Sequence, residues 1–480
     1  MKKSENYSDI VPLKQKLVYG FSAFPYTFYG AVMALIQSFF YGWMGLQNFW
    51  IVIAQIIYSL WNVINDPIFG NKISNTRYYD KRKRKNQRYM PYIKYGAPFL
   101  SLFFAITFFP PGSWRGGQGT IQFWLFAWYL CFQLAYDTFF TIVVGSQIAL
   151  LPQLTLNQRE REKIQGISTI FYLPASLMGF FIPTALLADP TTESVMIFQI
   201  IVIILAFFGI FPYFLLYRYI PEHQEHIPEK REGLWKSLKL ASKNQSFLIY
   251  VIYDGITVFI LNLLITTLPF YITWVLAPIE GFNILLFLIG PIICFIISVK
   301  MTFYLSKKYS TKASLSYYFG ISIIGYFFTF FAGILGNWVL ISMGFSIIML
   351  GFAGDFIQHE PMRSDTIDYD FWKISGERRE GLYTGIGALF SKPMISVALI
   401  TPTTLMTLFG LISVGGNLVA TQGMAMASLS LNIALGLIPG LVSLIGFIIW
   451  VKFYPLTKDI VIQMKKELHI IHEQRRKGIK

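Results

Sequence analysis

The sequence predicts an all-α membrane protein with twelve transmembrane helices arranged as two six-helix halves. The chain is 54% hydrophobic and 18% aromatic but only 14% charged, and a soluble domain with this balance could not cover its surface with polar groups. A helix needs about 20 apolar residues to cross the hydrocarbon core. The runs that meet this need are 16–42, 46–71, 91–110, 121–152, 164–188, 194–217, 246–276, 282–306, 313–332, 335–360, 381–411 and 424–454.

The basic residues orient these spans. All but two of the 40 Lys and Arg residues fall on one side; Arg115 falls on the other side and Lys392 lies inside the eleventh span. Since Lys and Arg accumulate in cytoplasmic loops, we predict a multi-pass protein of the cell membrane with both termini cytoplasmic. The net charge of +15 is thereby explained by topology, and no nucleic-acid binding is expected.

The polar stretch 217–245 separates six spans from six, as in transporters built from two repeats. We predict an N-terminal bundle at 1–217, a cytoplasmic central loop at 218–245, a C-terminal bundle at 246–454 and a cytoplasmic tail at 455–480. The tail has an imperfect apolar face. It is either a short helix on the inner membrane surface or a solvated tail.

Polar side chains inside the second span form the first candidate site. Asn62, Asn65 and Asp66 follow one another at i, i+3 and i+4, so they share one helix face. A buried charge in a membrane is costly and marks a functional site by default. Three such oxygen-bearing side chains suit a hard cation, whereas a proton needs only the carboxylate.

The fourth span repeats this pattern with Asp137 and Thr141, four residues apart. Both spans are predicted to run inward, and Asp137 precedes Thr141 by one turn just as Asn62 precedes Asp66. We therefore expect the two polar faces to meet at matched depth.

The second half carries Asp254 in the seventh span, Asp355, His359 and Glu360 toward the inner end of the tenth, and Lys392 in the eleventh. A lone intramembrane Lys pairs with a carboxylate or binds a polar substrate, and we expect Lys392 to pair with Asp66 or Asp137. For His359 and Glu360, we expect a solvated helix end.

The sequence lacks the motifs of enzymes and of ATP-driven transporters. The chain contains no GxxxxGK[ST], HExxH or CxxC pattern. We therefore expect no enzyme and no cofactor other than a coupling ion, H⁺ or Na⁺. The expected partners are a small-molecule substrate and the lipid bilayer, and the expected state is a monomer.

Three segments resemble the glycoside-pentoside-hexuronide:cation symporters, the melibiose-carrier family of the major facilitator superfamily. They are Asn65–Gly70 with the following Asn75-Thr76-Arg77 and RYMPY, ALLPQLTLNQRERE at 149–162, and SDTIDYDFWKISGERREG at 364–381. This resemblance implies two pseudo-symmetric bundles that move by alternating access. It assigns Asn65, Asp66 and Thr141 to a cation site and matches Lys392 to the family's helix-eleven Lys. The charged residues of these loops, expected at a cytoplasmic gate, are Arg77, Arg159, Arg161, Asp365, Asp368, Arg378 and Glu380.

One departure from the family affects the cation. The first carboxylate of the family's helix-two set is Asn62 here, which removes a negative charge. Asp137 stands where the melibiose carriers are expected to have no carboxylate, and we predict that it restores this charge.

Other departures affect the substrate. Thr27, Val144, Ile148 and Thr169 replace the family's helix-one Asp, helix-four Asp, helix-four Trp and helix-five Arg. Together with Tyr26 and Lys392, they are the predicted substrate-facing positions, and a galactoside such as melibiose is not expected. We predict cation-coupled symport of an organic solute, a sugar or glycoside derivative. The alternatives are a carrier of lysolipids or other amphiphiles with the same fold and a non-transporting membrane sensor or scaffold.

Overall fold

The fold is given by a computed structural model, which describes residues 11–75, 78–80, 85–154, 158–188, 190–221, 242–308, 311–375, 380–414 and 416–476. The helices are α1 Leu13–Phe21, α2 Ala23–Met33, α3 Asn48–Asn75, α4 Met90–Thr107, α5 Thr120–Leu154, α6 Gln158–Ala188, α7 Thr192–Tyr219, α8 Gln245–Tyr271, α9 Ile284–Lys308, α10 Thr311–Ile334, α11 Trp338–Asp370, α12 Glu380–Leu408, α13 Met424–Asn432, α14 Ile438–Phe453 and α15 Lys458–Arg476. The strands are β1 Tyr78–Asp80, β2 Lys85–Gln87, β3 Leu411–Val414 and β4 Asn417–Ala420.

All twelve predicted spans contain helix within the described residues. In the part of the chain that the structure describes, eight helical segments are long and apolar enough to cross a membrane, and they coincide with spans four to nine, eleven and twelve. Of the other four, the first span is broken by a π-helical segment at Ser38–Met44, and the second carries the Asn and Asp side chains noted above. The protein is therefore a predominantly helical, multi-pass membrane protein.

Polar residues at the helix starts fix several of these boundaries. The Thr191 side chain caps α7 by accepting from the Ser194 backbone N–H, and the Ser194 hydroxyl oxygen accepts from the Thr191 backbone N–H. The Asn244 side chain caps α8 and the Asn337 side chain caps α11 in the same way. These side chains satisfy backbone donors that a helix leaves open in its first turn.

The chain falls into two compact units. The first comprises Met1–Glu229 together with Ser413–Val419, and the second comprises Lys230–Ile412 together with Ala420–Lys480. In the second unit α8 packs against α12, and α11 packs against α9 and α10. Apolar side chains from α8, α10, α11, α12 and α14 meet in one core cluster there, which includes Tyr253, Phe319 and Trp450.

Two two-stranded hairpins interrupt the helical pattern of the described residues. β1 and β2 pair across the basic run 81–85, of which residues 81–84 lie outside the described part of the chain. β3 and β4 join α12 to α13, and their tip at Gly416 has a positive φ of 80°, the conformation that a tight turn requires of glycine. The tip belongs to the first unit although both flanking helices belong to the second.

The tail forms helix α15 and packs onto protein. Met464 and Leu468 lie against Phe371, which follows α11, and the Trp372 indole donates to Glu467 Oε2 over 2.6 Å. The helix that one predicted alternative requires is present, and part of its apolar face covers an apolar surface of the second unit; its place at the inner membrane surface stays a prediction. Ile462, by contrast, is 44% exposed.

Helix α11 extends well beyond the predicted tenth span. It continues to Asp370, whereas the prediction ended at 360. His359 therefore lies eleven residues before the end of the helix, and the prediction that it forms a solvated helix end is wrong. The Glu360 side chain lies outside the described residues.

Candidate functional site

The candidate site lies between α3 and α5 of the first unit, which pack side by side. Their contacts advance in the same order along both helices: Gln55 meets Gln133, and Asp66 meets Thr141. The two helices therefore run parallel. Parallel packing keeps the two polar faces in register over several turns.

Four of the five residues predicted for the cation site form one hydrogen-bonded chain. Thr141 Oγ1 donates to Asp66 Oδ1 over 3.0 Å. The Asn65 amide Nδ2 lies 3.4 Å from Thr141 Oγ1 and donates to Asp137 Oδ2 over 3.2 Å. The structure thus brings together the two polar pairs that the sequence places at matched depth. Asn62, the fifth residue, is 2% exposed and lies one turn before Asp66.

Sequence reasoning missed two members of this cluster. Tyr58 donates its hydroxyl to Asp137 Oδ1 over 3.0 Å, and the Trp61 indole donates to Thr138 Oγ1 over 3.1 Å. Tyr58 lies one turn before Asn62, so helical periodicity already places it on the polar face. Its role was missed because its aromatic ring is typical of any membrane helix.

The cluster has the chemistry of a small cation site. Asp66 and Asp137 contribute carboxylate oxygens, Thr141 contributes a hydroxyl, and hard cations prefer such oxygen ligands. Asn65 is 1% exposed, and its amide oxygen makes no hydrogen bond within the described residues. A buried acceptor without a partner costs free energy, so this oxygen is available to a ligand.

The predicted substrate positions have mixed environments. In the first unit, Thr27 and Val144 are buried, Tyr26 is half-buried, and Ile148 and Thr169 are exposed. Thr27 donates to the Ala23 carbonyl in its own helix over 2.8 Å. Lys392 is half-buried in the second unit. Its pairing with Asp66 or Asp137 stays a prediction.

The predicted gate residues are only partly described. Asp365 is 8% exposed and Asp368 is half-buried near the end of α11. Arg77 and Arg378 lie outside the described residues, as do the side chains of Arg159, Arg161 and Glu380. The gate therefore stays a prediction.

Comparison with solved structures gives the fold. The chain is similar to a bacterial homologue of the human lysosomal transporter Spinster, with a TM-score of 0.62, 11% identity and coverage of 94% of this chain and 98% of that chain. It is also similar to the nucleoside transporter NupG, with a TM-score of 0.57, 14% identity and coverage of 92% and 100%. For a D-xylose–proton symporter, the TM-score is 0.56, the identity 12% and the coverage 93% and 97%.

These neighbours are transporters of the major facilitator type, and at such identities they establish the fold alone. Family membership comes from the sequence. The family described as MFS/sugar transport protein matches residues 18–458, nearly the whole chain. The chain therefore belongs to this family, the melibiose-carrier-like branch of the major facilitator superfamily, and is a membrane transporter.

Proposed function

We propose that this transporter is a symporter that couples the movement of a sugar or glycoside derivative to a cation. The observation that carries the proposal is the cluster of Asp66, Asn65, Thr141 and Asp137. Two carboxylates within one partly buried cluster repel each other, and a bound cation relieves that repulsion. An ion gradient then supplies the driving force.

The two carboxylates have separate roles in this proposal. Asp66 matches the family's cation-site carboxylate and accepts from Thr141, so it is the coupling residue. Asp137 supplies the charge that Asn62 lacks and is held by Tyr58 and Asn65. When both carboxylates are ionised, the site binds Na⁺. When one carboxylate takes up a proton, that proton is the coupled cation.

The substrate class rests on the family and on the neighbours. The family description names sugar transport, and among the structural neighbours are a D-xylose–proton symporter and a nucleoside transporter. All of these cargoes are polar and rich in hydroxyl groups. A charged clamp is absent from the substituted positions Thr27, Val144 and Thr169, so we propose a neutral solute other than a galactoside. From the basic loops we also propose that both termini face the cytoplasm.

Cation binding is tested without a known substrate. The thermal unfolding of purified protein is measured with and without Na⁺ at two pH values, since a ligand that binds only the folded state raises Tm. We expect Na⁺ to raise Tm in the wild type and to have no effect in Asp66→Asn. Glu193→Gln, the same charge change at an exposed position in the first turn of α7, serves as the control and should respond like the wild type. An equal response in Asp66→Asn overturns the proposed site.

Substrates are then screened in proteoliposomes with an imposed Na⁺ or H⁺ gradient. Neutral sugars, glycosides and nucleosides are compared with lysolipids. Gradient-driven accumulation of a sugar derivative supports the proposal. Accumulation of lysolipids alone contradicts the proposed substrate class while leaving the cation site standing.

A further inference from the structure

A second buried cluster of titratable groups lies in the second unit, on residues that the proposed cation site does not use. His359 Nε2 on α11 lies 2.7 Å from Asp254 Oδ1 on α8. The Tyr250 hydroxyl, one turn before Asp254, lies 3.3 Å from the same nitrogen. A carboxylate and a phenol hydroxyl thus converge on one imidazole nitrogen.

The surroundings of this nitrogen accommodate a positive ring. The His359 and Asp254 side chains are 24% and 11% exposed, so the pair is largely enclosed and the imidazole is the more exposed partner. The Tyr250 ring centroid lies 5.4 Å from that of His359 and the Tyr253 centroid 6.3 Å away. Tyr253 in turn packs on Trp450 at 5.2 Å. The Tyr250 ring lies within the distance of about 6 Å at which aromatic faces attract cations, and the carboxylate attracts them more strongly.

The two protonation states of the ring differ in net charge. With a neutral imidazole, Nε2–H donates to an ionised Asp254 and the pair carries one negative charge. With an imidazolium, the same hydrogen bond joins opposite charges and the pair is neutral. Because an uncompensated charge inside a helix bundle is costly, uptake of one proton removes a penalty, and histidine is the side chain suited to exchange it near neutral pH.

The packed helices define which other groups act on the pair. α8 contributes Tyr250 and Tyr253, and α10 and α14 contribute Phe319 and Trp450, which contact Tyr253 and carry no titratable group. α12 brings Met394 against Gly255, and its charged residue nearest to that contact is Lys392. On α11 the charged neighbours with described side chains are Arg363 and Asp365, whereas the side chains of Asp355 and Glu360 lie outside the described residues.

We propose that His359 and Asp254 form a proton-binding site in the second unit, with Tyr250 as the third partner. A proton from water adds to Nδ1 of the imidazole while the hydrogen bond from Nε2–H to Asp254 Oδ1 is kept; its release from Nδ1 returns it to water, and no other bond changes. The site is independent of the proposed cation cluster on α3 and α5. It makes the second unit responsive to pH whichever cation binds in the first.

Infrared difference spectroscopy with isotope-labelled histidine tests this site directly. Full-length protein in nanodiscs is compared at about pH 5.5 and about pH 8.5, on either side of the range in which imidazoles exchange protons. The chain has five histidines. We expect the imidazole bands that change between these pH values to include one contribution that His359→Gln removes and the tail variant His469→Gln leaves in place. Identical difference spectra for His359→Gln and the wild type overturn the proposal.

A second variant keeps the imidazole and removes its partner. In Asp254→Asn, we expect the His359 bands to change in frequency and in their response to pH, because the carboxylate that accepts the Nε2–H bond and balances the imidazolium charge is gone. If His359→Gln does not fold, this variant carries the test alone. A spectrum that matches the wild type at both pH values overturns the proposal, and the thermal response to Na⁺ in the same samples reports separately on the α3–α5 site.

Discussion

Asn65 donates to Asp137 Oδ2 over 3.2 Å, while the next residue on α3, Asp66, accepts from Thr141 over 3.0 Å. Two adjacent residues of one helix thus reach two different turns of its neighbour, since Asp137 and Thr141 are four residues apart. One turn of helix rises about 5.4 Å. The two carboxylates are therefore joined through Asn65 and Thr141 into one hydrogen-bonded chain.

Asp137→Asn should weaken Na⁺ stimulation of transport. The change keeps the shape of the side chain and removes one negative charge from the cluster, and a charged hydrogen-bonding partner contributes about 1.5–3 kcal/mol. The Na⁺ concentration for half-maximal transport in proteoliposomes should rise by about tenfold or more. Glu193→Gln should leave it unchanged, and wild-type dependence on Na⁺ and pH in Asp137→Asn would show that Asp137 has no part in the site.

Asn62→Asp should rescue the Asp137→Asn variant. Asn62 is buried on the same face of α3 as Asp66, and a carboxylate there restores the number of negative charges. We expect the double variant to regain Na⁺ stimulation, measured as above. If the double variant folds, as judged by its Tm, and still ignores Na⁺, charge compensation between the two positions is refuted.

Thr141→Val should lower cation affinity more than Thr141→Ser. Valine has the shape of threonine without its hydroxyl, so it removes the oxygen ligand that Thr141 offers to a cation in this cluster, whereas serine keeps that oxygen. Loss of one such polar contact costs about 1–2 kcal/mol, which corresponds to about 5- to 30-fold in affinity, read from the Na⁺ dependence of Tm. Equal affinities for the two variants would remove Thr141 from the site.

The cation cluster was largely predictable because each of its polar faces follows helical periodicity. The cluster consists of polar side chains within apolar spans: Asp66, Asn65, Thr141 and Asp137. Polar side chains at matched depth on parallel, packed helices come into contact. Tyr58 was not predictable in the same way. Aromatic side chains are common throughout this chain, and only tertiary packing decides which one reaches a carboxylate.

The Asp254–His359 pair shows where sequence reasoning fails. The two residues are 105 positions apart in the chain. The polar residues from Asp355 to Glu360 suggested that the tenth span ends at 360. α11 continues because packing against α8, α9 and α10 stabilises it, and it carries His359 into the bundle. The β3–β4 hairpin, by contrast, had a readable signal: a Gly-Gly pair between two short apolar runs is typical of a tight turn.

Arg115→Lys should loosen the β3–β4 hairpin. Arg115 donates to the Trp43 carbonyl, to the Gly416 carbonyl and to Asn417 Oδ1 over 3.0–3.3 Å, and its guanidinium lies 3.3 Å from the Trp43 ring centroid. Lysine keeps the charge but cannot reproduce this planar fork.

Loss of one or two of these bonds, about 1–2 kcal/mol in total, should speed amide hydrogen exchange over 411–420 by about tenfold. Arg218→Lys, at an exposed position at the end of α7, is the matched control. Unchanged exchange in Arg115→Lys would show that Arg115 does not hold the hairpin.

The docking of α15 should weaken in acid because of Glu467. Hydrogen bonds from Gln463 and from the Trp372 indole hold the pKa of this carboxyl below its ordinary value of 4.5. A carboxyl whose pKa is lowered in the docked state stabilises that state above its ordinary pKa, and the stabilisation disappears as the pH falls through the lowered value. A spin label at position 462 on α15, with Cys131 and Cys294 replaced by alanine, should therefore become more mobile below about pH 4.5. Glu467→Gln should abolish this increase in mobility. Asp459→Asn, at an exposed position in the first turn of α15, is the control and should keep it. An increase of the same size in Glu467→Gln would assign the acid response to another group.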